Sequence, residues 1–502
     1  MSNSYRQILR SSSIIGGASV VNILVGLLRT KVAAVVLGPA GIGLIGLFTN
    51  IVATASTVAG LGLGMAGTRQ IAEAVGQNEP ARIAAARRAL FWGTLVLAIV
   101  GAVLAWSLRD VLATRILGDA MLGTEIGWLS IAVALTVAAA SQNALLNGLR
   151  RIGDIARVSV GTAMLSTVAG IVALWWFGRA GVVAFVIAAP LASFLLGHWY
   201  VARLPRIDSR PTTLAVLCGQ WRVLAGLGFA FMVAGLAGTV GQLVVRMLVQ
   251  RELGVDALGQ FQAAWAISMT YIGFVLTAMG TDYYPRLTAV IKDHATVNRL
   301  VNEQTEVALL LATPVLLAML GLAPWVIQLL YSDQFAEAAN VLRWQVLGDL
   351  LKVASWPLGF ILLASGAGKT FMLTEWLAMG LFVVLTAWLL PLLGVRATGL
   401  SFLGMYAGLF PLVYWLAVRR TGFKYSVGVL KLLGAGLVSG VGLIVIAGQS
   451  LWISSTLGVL LALIFGIHGL VRLAHMADVG GPIGKIASTA RGFFMRTGVW
   501  RE

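Results

Sequence analysis

The chain has 502 residues, 59% of them hydrophobic and 11% charged, with a mean hydropathy of +0.91. A water-soluble fold has nowhere to bury that much apolar surface, which excludes soluble enzymes and soluble binding domains. The net charge of +17 raises nucleic-acid binding, but the basic residues follow the loops between apolar stretches and form no patch, which excludes that too.

A hydrocarbon core of about 30 Å needs roughly 20 apolar residues at helical rise. In chain order the spans fall at 11–36, 41–66, 89–108, 126–146, 158–177, 181–200 and 223–246. They continue at 259–281, 304–330, 344–365, 370–391, 397–418, 430–448 and 451–472. That makes an all-α polytopic membrane protein with about 14 transmembrane helices, or twelve if the glycine-diluted last pair does not span. With the N-terminus cytoplasmic, 26 of the 36 Lys and Arg lie in cytoplasmic segments and seven in the opposite loops. This positive-inside bias puts both termini in the cytoplasm. Aromatic pairs such as Trp175 with Trp176 and Trp199 with Tyr200 sit at expected span ends, where amphipathic rings prefer the interface. The basic start is followed by an apolar run too long for a signal peptide, so it is expected to remain as the first helix. The single cysteine, Cys218, has no intramolecular disulfide partner.

The stretch Leu37-Gly-Pro-Ala-Gly-Ile-Gly43 recurs as Leu253-Gly-Val-Asp-Ala-Leu-Gly259, 216 residues later, between the first two helices of a second half. The expected organisation is a six-helix bundle over 1–216, a second over 217–425, and an added helix pair with a basic cytoplasmic tail over 426–502. An even number of helices per half makes the repeat parallel, and in such transporters the substrate site lies in a central cavity between the halves.

Charged groups at membrane depth carry the functional information, because each costs roughly 2.5 to 3.5 kcal/mol on insertion scales unless it meets water or a partner. Arg29 and Lys31 on the first helix either snorkel to the outer interface or turn into a cavity that attracts an anion. Arg246, at a nearly equivalent place in the second half, supplies a further cationic wall to such a cavity. Asp349 and Lys352 are three apart and share a helix face, as a structural charge pair or as part of the site. Glu375 is a weaker candidate for ion coupling. Asp282 and Arg286 flank Tyr283-Tyr-Pro285 as an interface cluster or a gate.

Two nucleotide-like motifs lack their structural context. Gly62-Leu-Gly-Met-Ala-Gly67 follows an apolar helix instead of a strand, and Gly366-Ala-Gly-Lys-Thr370 has Leu at 363, where a phosphate loop requires glycine. His198, His294, His468 and His475 lack metal-site spacing, so no metal or other cofactor is expected.

Lys31 with the 37–43 stretch, Tyr284-Pro-Arg-Leu287, and Phe335 with Trp344-Gln-Val-Leu-Gly-Asp-Leu-Leu-Lys352 together resemble the Wzx O-antigen and enterobacterial common antigen flippases. These belong to the multidrug/oligosaccharidyl-lipid/polysaccharide (MOP) superfamily. The resemblance runs over roughly residues 10–425. It implies a flippase moving an undecaprenyl-diphosphate-linked oligosaccharide from the cytoplasmic to the periplasmic leaflet of the bacterial inner membrane, by alternating access. Arg29, Lys31, Arg246 and Lys352 would bind this substrate. Proton or sodium coupling, or the membrane potential alone, would drive it, since the chain has no ATP-binding domain. The partners implied are the lipid-linked substrate, membrane lipids, a polysaccharide polymerase and a chain-length regulator. Family members commonly have twelve helices, so the added pair leaves a tie to the fourteen-helix lipid II flippases open. A drug or small-cation antiporter on this architecture should favour deep acids over deep bases, the reverse of what is found. A membrane polysaccharide polymerase needs a larger extramembrane loop than residues 109–125 offer.

Overall fold

The computed structural model describes residues 2–77, 79–205 and 214–475. Among these the regular structure is entirely helical. The helices are α1 (Ser2–Ala59), α2 (Leu63–Gly76), α3 (Pro80–Ser107), α4 (Gly123–Gly148), α5 (Ile152–Phe177), α6 (Val182–Ala202) and α7 (Leu214–Ala289). They are followed by α8 (His294–Leu330), α9 (Ala336–Ala364), α10 (Gly368–Leu393), α11 (Arg396–Thr421), α12 (Val427–Ala447) and α13 (Leu451–His475). In hydrocarbon every backbone polar group must be paired within its own segment, and helices achieve that.

Eleven segments of the described residues are long and apolar enough to cross a bilayer. Three of them contain a break, at Gly38, at the turn Gly178–Gly181 and at Gly254, where the count of fourteen divides one segment into two. One expected boundary moves. The second expected span ends at 66, yet α2 runs to Gly76 and carries Arg69. Leu63, Ala66, Ile71 and Ala74 are buried on one of its faces, so packing extends the helix past the end of the apolar run.

Contacts divide the chain into two compact units, Met1–Gly259 with Leu330–Gln334, and Gln260–Leu329 with Phe335–Glu502. In the first, α4 packs on α3 and α6, while α5 packs on α6 and α1. One apolar core of this unit includes Leu63, Ile71, Leu90, Leu145, Leu146 and Val158. The repeated heptapeptides both lie in this unit and share an unusual backbone. Gly38 has φ 65° and ψ −166°, and Gly254 has φ 84° and ψ 178°, a region essentially confined to glycine. The two copies also meet. A Cβ on Gly43 would fall 2.6 Å from the Val255 carbonyl oxygen, and one on Gly259 would fall 1.9 Å from the Pro39 carbonyl oxygen. With the offset of 216, these two contacts are the same contact made in both directions.

In the second unit α9 is the buried centre, packed on α11, α12 and α10. Tyr283, Leu287, Val301, Leu358, Ile361 and Phe423 form an apolar cluster there. The glycines that weakened the last pair as spans are its packing surface. Gly436 and Gly440 of α12 sit against Leu350 and Leu347, and Gly321 of α8 meets Gly458 of α13 with no room for a methyl group on either side. Ser455 donates to the Gly321 carbonyl (3.0 Å) and accepts from the Trp325 indole (3.1 Å). Gly321→Leu is therefore expected to cost about 1–3 kcal/mol by overpacking. Hydrogen exchange checks this, with faster exchange through α13 expected.

Outside the membrane segments, Asp293 caps α8. It accepts from the backbone N–H of Ala295 and Thr296 and from the Thr296 hydroxyl (2.6 Å). The Thr296 hydroxyl is the main reason its carboxyl sits below the usual carboxylate range. A folded value below the unfolded one means that the cap contributes fully above the unfolded pKa of about 3.9 and is lost as pH falls through the folded value. Asp293→Ala should speed exchange of the 295 and 296 amides at neutral pH. The difference from wild type should vanish in strong acid.

Candidate functional site

The sequence singled out cations on α1 and α7, and the first unit buries or half-buries all three. Arg29 is tied to α6 and α5. It donates to the Phe185 carbonyl (2.6 Å) and to the Ser166 hydroxyl (3.4 Å), and its guanidinium lies 4.0 Å from the centroid of the Phe185 ring. Its Nε is buried without a hydrogen-bond partner among the described residues. Lys31 donates to the Tyr331 carbonyl at 2.5 Å, in the short stretch that joins the first unit from far along the chain. Arg246 is only 3% exposed and donates to the carbonyl and the side-chain oxygen of Gln242, one turn earlier (3.2 and 3.3 Å). None of the three side chains is exposed.

A second charged cluster lies within the second unit. Gln345, Asp349 and Lys352 follow one another along a single face of α9 at helical spacing. Asp349 is fully buried and accepts from the Ser268 hydroxyl at 2.6 Å, while its other carboxylate oxygen has no partner among the described residues. Lys352 reaches the Met269 sulfur (3.6 Å) and sits 5.9 and 5.8 Å from the ring centroids of Phe402 and Tyr406. These rings stabilise a cation through their electron-rich faces. Lys352 lies within electrostatic range of both Asp349 and Glu375, and Tyr271 and Tyr406 are in range of Asp349. The structure thus brings Asp349, Lys352 and Glu375 together around Ser268, Tyr271 and Tyr406. The last three were missed because neutral residues in apolar spans carry no insertion penalty to mark them. Only the three-residue spacing of Ser268 and Tyr271, on one face of α7, offered a signal.

The remaining candidates stand apart. Arg286 is exposed at the end of α7, and the side chain of Asp282 lies outside the described residues, as does the basic tail beyond 475. Between them Tyr283 is buried, donating to the Pro357 carbonyl (3.1 Å) and packing on Trp356 and Phe360. Gly366 forms the turn between α9 and α10 with φ 75°, with no phosphate-loop geometry.

Long apolar helices with charged groups enclosed inside them define a polytopic membrane transporter, and the same fold recurs in solved transporter structures. An inward-facing multidrug resistance MATE family transporter of the MOP superfamily aligns over 80% of this chain and 94% of its own, with a TM-score of 0.69 and 16% identity. The lipid II flippase MurJ, in an inward closed conformation, aligns over 93% and 99%, with a TM-score of 0.66 and 11% identity. The chain belongs to the polysaccharide biosynthesis protein family, whose family model matches residues 32–340. Among curated relatives, the lipid III flippases of Escherichia coli (strain K12) and Shigella flexneri are each 24% identical over 418 residues. That alignment covers 80% of this chain and 97% of theirs.

Proposed function

We propose that the protein is a flippase for a lipid-linked oligosaccharide in the bacterial inner membrane. The observation that carries this reading is the alignment with the lipid III flippases over nearly their whole length. The finer reading takes an undecaprenyl-diphosphate-linked oligosaccharide from the cytoplasmic to the periplasmic leaflet, with both termini in the cytoplasm. Taking a diphosphate and several sugars through hydrocarbon strips hydration from charges and hydroxyls. That costs tens of kcal/mol by Born-type estimates, so unaided flipping is negligible. Buried cations lower that barrier. In this reading Arg29, Lys31 and Arg246 hold the diphosphate, and the cluster of Asp349, Lys352 and Glu375 couples transport to an ion or proton gradient. About two negative charges leaving a cell that is negative inside gain roughly 2.3 kcal/mol each per 100 mV, close to 5 kcal/mol in all.

The test is flipping of a lipid-linked oligosaccharide in proteoliposomes. Neutralising Arg29, Lys31 and Arg246 together should slow it at least about tenfold, since a hydrogen bond to a charged group contributes roughly 1.5–3 kcal/mol. Wild-type transport in that variant removes the anion-binding role. Unchanged outward movement after the potential is collapsed removes the voltage term.

A further inference from the structure

A cavity of about 730 Å³ lies within the first unit, between α3, α4 and α6, and none of the residues assigned above lines it. Its α3 wall is a single face at three- and four-residue spacing: Ala84, Arg87, Arg88, Phe91, Thr94, Leu95 and Ala98. Polarity falls along that face. Arg87 and Arg88 stand at the mouth with His198 of α6, and Leu95, Ala98 and Ala138 line the deep end. From Arg88 to Ala98 the helix rises about 15 Å, half of a hydrocarbon core of about 30 Å. Phe91 is 60% and Leu95 40% exposed, so the side of the cavity opens to the surroundings of the helices, which here are lipid.

We infer that this cavity is a binding site for an anionic phospholipid of the leaflet on which the α2–α3 loop opens. The phosphate lies at Arg87 and Arg88, and one acyl chain fills the deep apolar end. Basic pockets between transmembrane helices recognise lipid headgroups in this way. Inorganic phosphate would leave the apolar half unused, and a zwitterionic lipid would bring its own cation to the arginines. The inference is independent of the transported substrate.

Native mass spectrometry of the full-length protein tests it, with phosphatidylglycerol and phosphatidylcholine titrated separately. Phosphatidylglycerol should bind at least tenfold more tightly, and the double variant R87Q/R88Q should lose that preference. Ala138→Phe, which fills the deep end and keeps both arginines, should also weaken phosphatidylglycerol binding. The variant R69Q/R82Q removes the same charge from exposed ion pairs on α2 and at the start of α3 and should bind as wild type does. Thermal unfolding of each variant without added lipid shows that it is folded. Equal affinity for the two lipids, unchanged binding in R87Q/R88Q or in A138F, or equal loss in R69Q/R82Q would each overturn the site. Displacement of phosphatidylglycerol by inorganic phosphate, or tighter binding of undecaprenyl diphosphate that depends on Arg87 and Arg88, would overturn the assignment to a phospholipid.

Discussion

Gly259→Ala is expected to slow flipping at least about tenfold and to lower the melting temperature. The added methyl carbon would stand 1.9 Å from the Pro39 carbonyl oxygen, and a backbone oxygen cannot swing aside as a flexible side chain can. Overpacking of this kind costs about 1–3 kcal/mol, and each 1.4 kcal/mol is a factor of ten in population or rate. Gly43→Ala should act in the same direction but less strongly, since its methyl would sit 2.6 Å from the Val255 carbonyl oxygen. Gly26→Ala, with nothing within 4 Å, is the control and should behave as wild type. The reciprocal contact joins equivalent points of the two repeats, so a variant that forces them apart disfavours every state in which they touch. Wild-type transport and melting in Gly259→Ala would show that the cycle does not need this approach.

The second large effect belongs to the charged cluster of the second unit. Lys352→Met should destabilise the protein by about 3 kcal/mol, because it removes the cation within electrostatic range of the fully buried Asp349. Asp349→Asn combined with Lys352→Met should cost less than the sum of the single changes, by about 1–3 kcal/mol, because the double variant leaves no uncompensated charge at position 349. Ser268→Ala removes the donor that holds Asp349 at 2.6 Å and should cost about 1–3 kcal/mol. Unfolding in detergent and flipping in proteoliposomes read the cycle on the same samples. Strict additivity would mean that Asp349 and Lys352 act separately, contrary to their placement on one face.

Much of the architecture was legible from the chain alone. Apolar runs of spanning length can be satisfied only by helices in a bilayer, so helix type followed from composition. The recurrence of Leu-Gly at 37 and 253 marked two backbone breaks with nearly the same dihedral angles. Helix ends were less legible where packing overrode hydropathy, as in α2, whose buried face continues through Ile71 and Ala74. The glycines of the last pair read as dilution in one dimension. Against Leu347, Leu350 and Gly321 they and Gly458 are the means of close approach.

For the site, the sequence by itself determined which groups had to be accounted for. A charge costs several kcal/mol at membrane depth, so Arg29, Lys31, Arg246, Asp349, Lys352 and Glu375 stood out in an apolar background. Only the tertiary structure decided their partners. The Phe185 carbonyl for Arg29, the Tyr331 carbonyl for Lys31, and the gathering of Ser268, Tyr271 and Tyr406 around Asp349 and Lys352 depend on residues tens to hundreds of positions apart. The penalty for burying a charge is a property of the residue and can be read locally. What relieves the penalty is a contact, and contacts between distant segments exist only once the helices have packed.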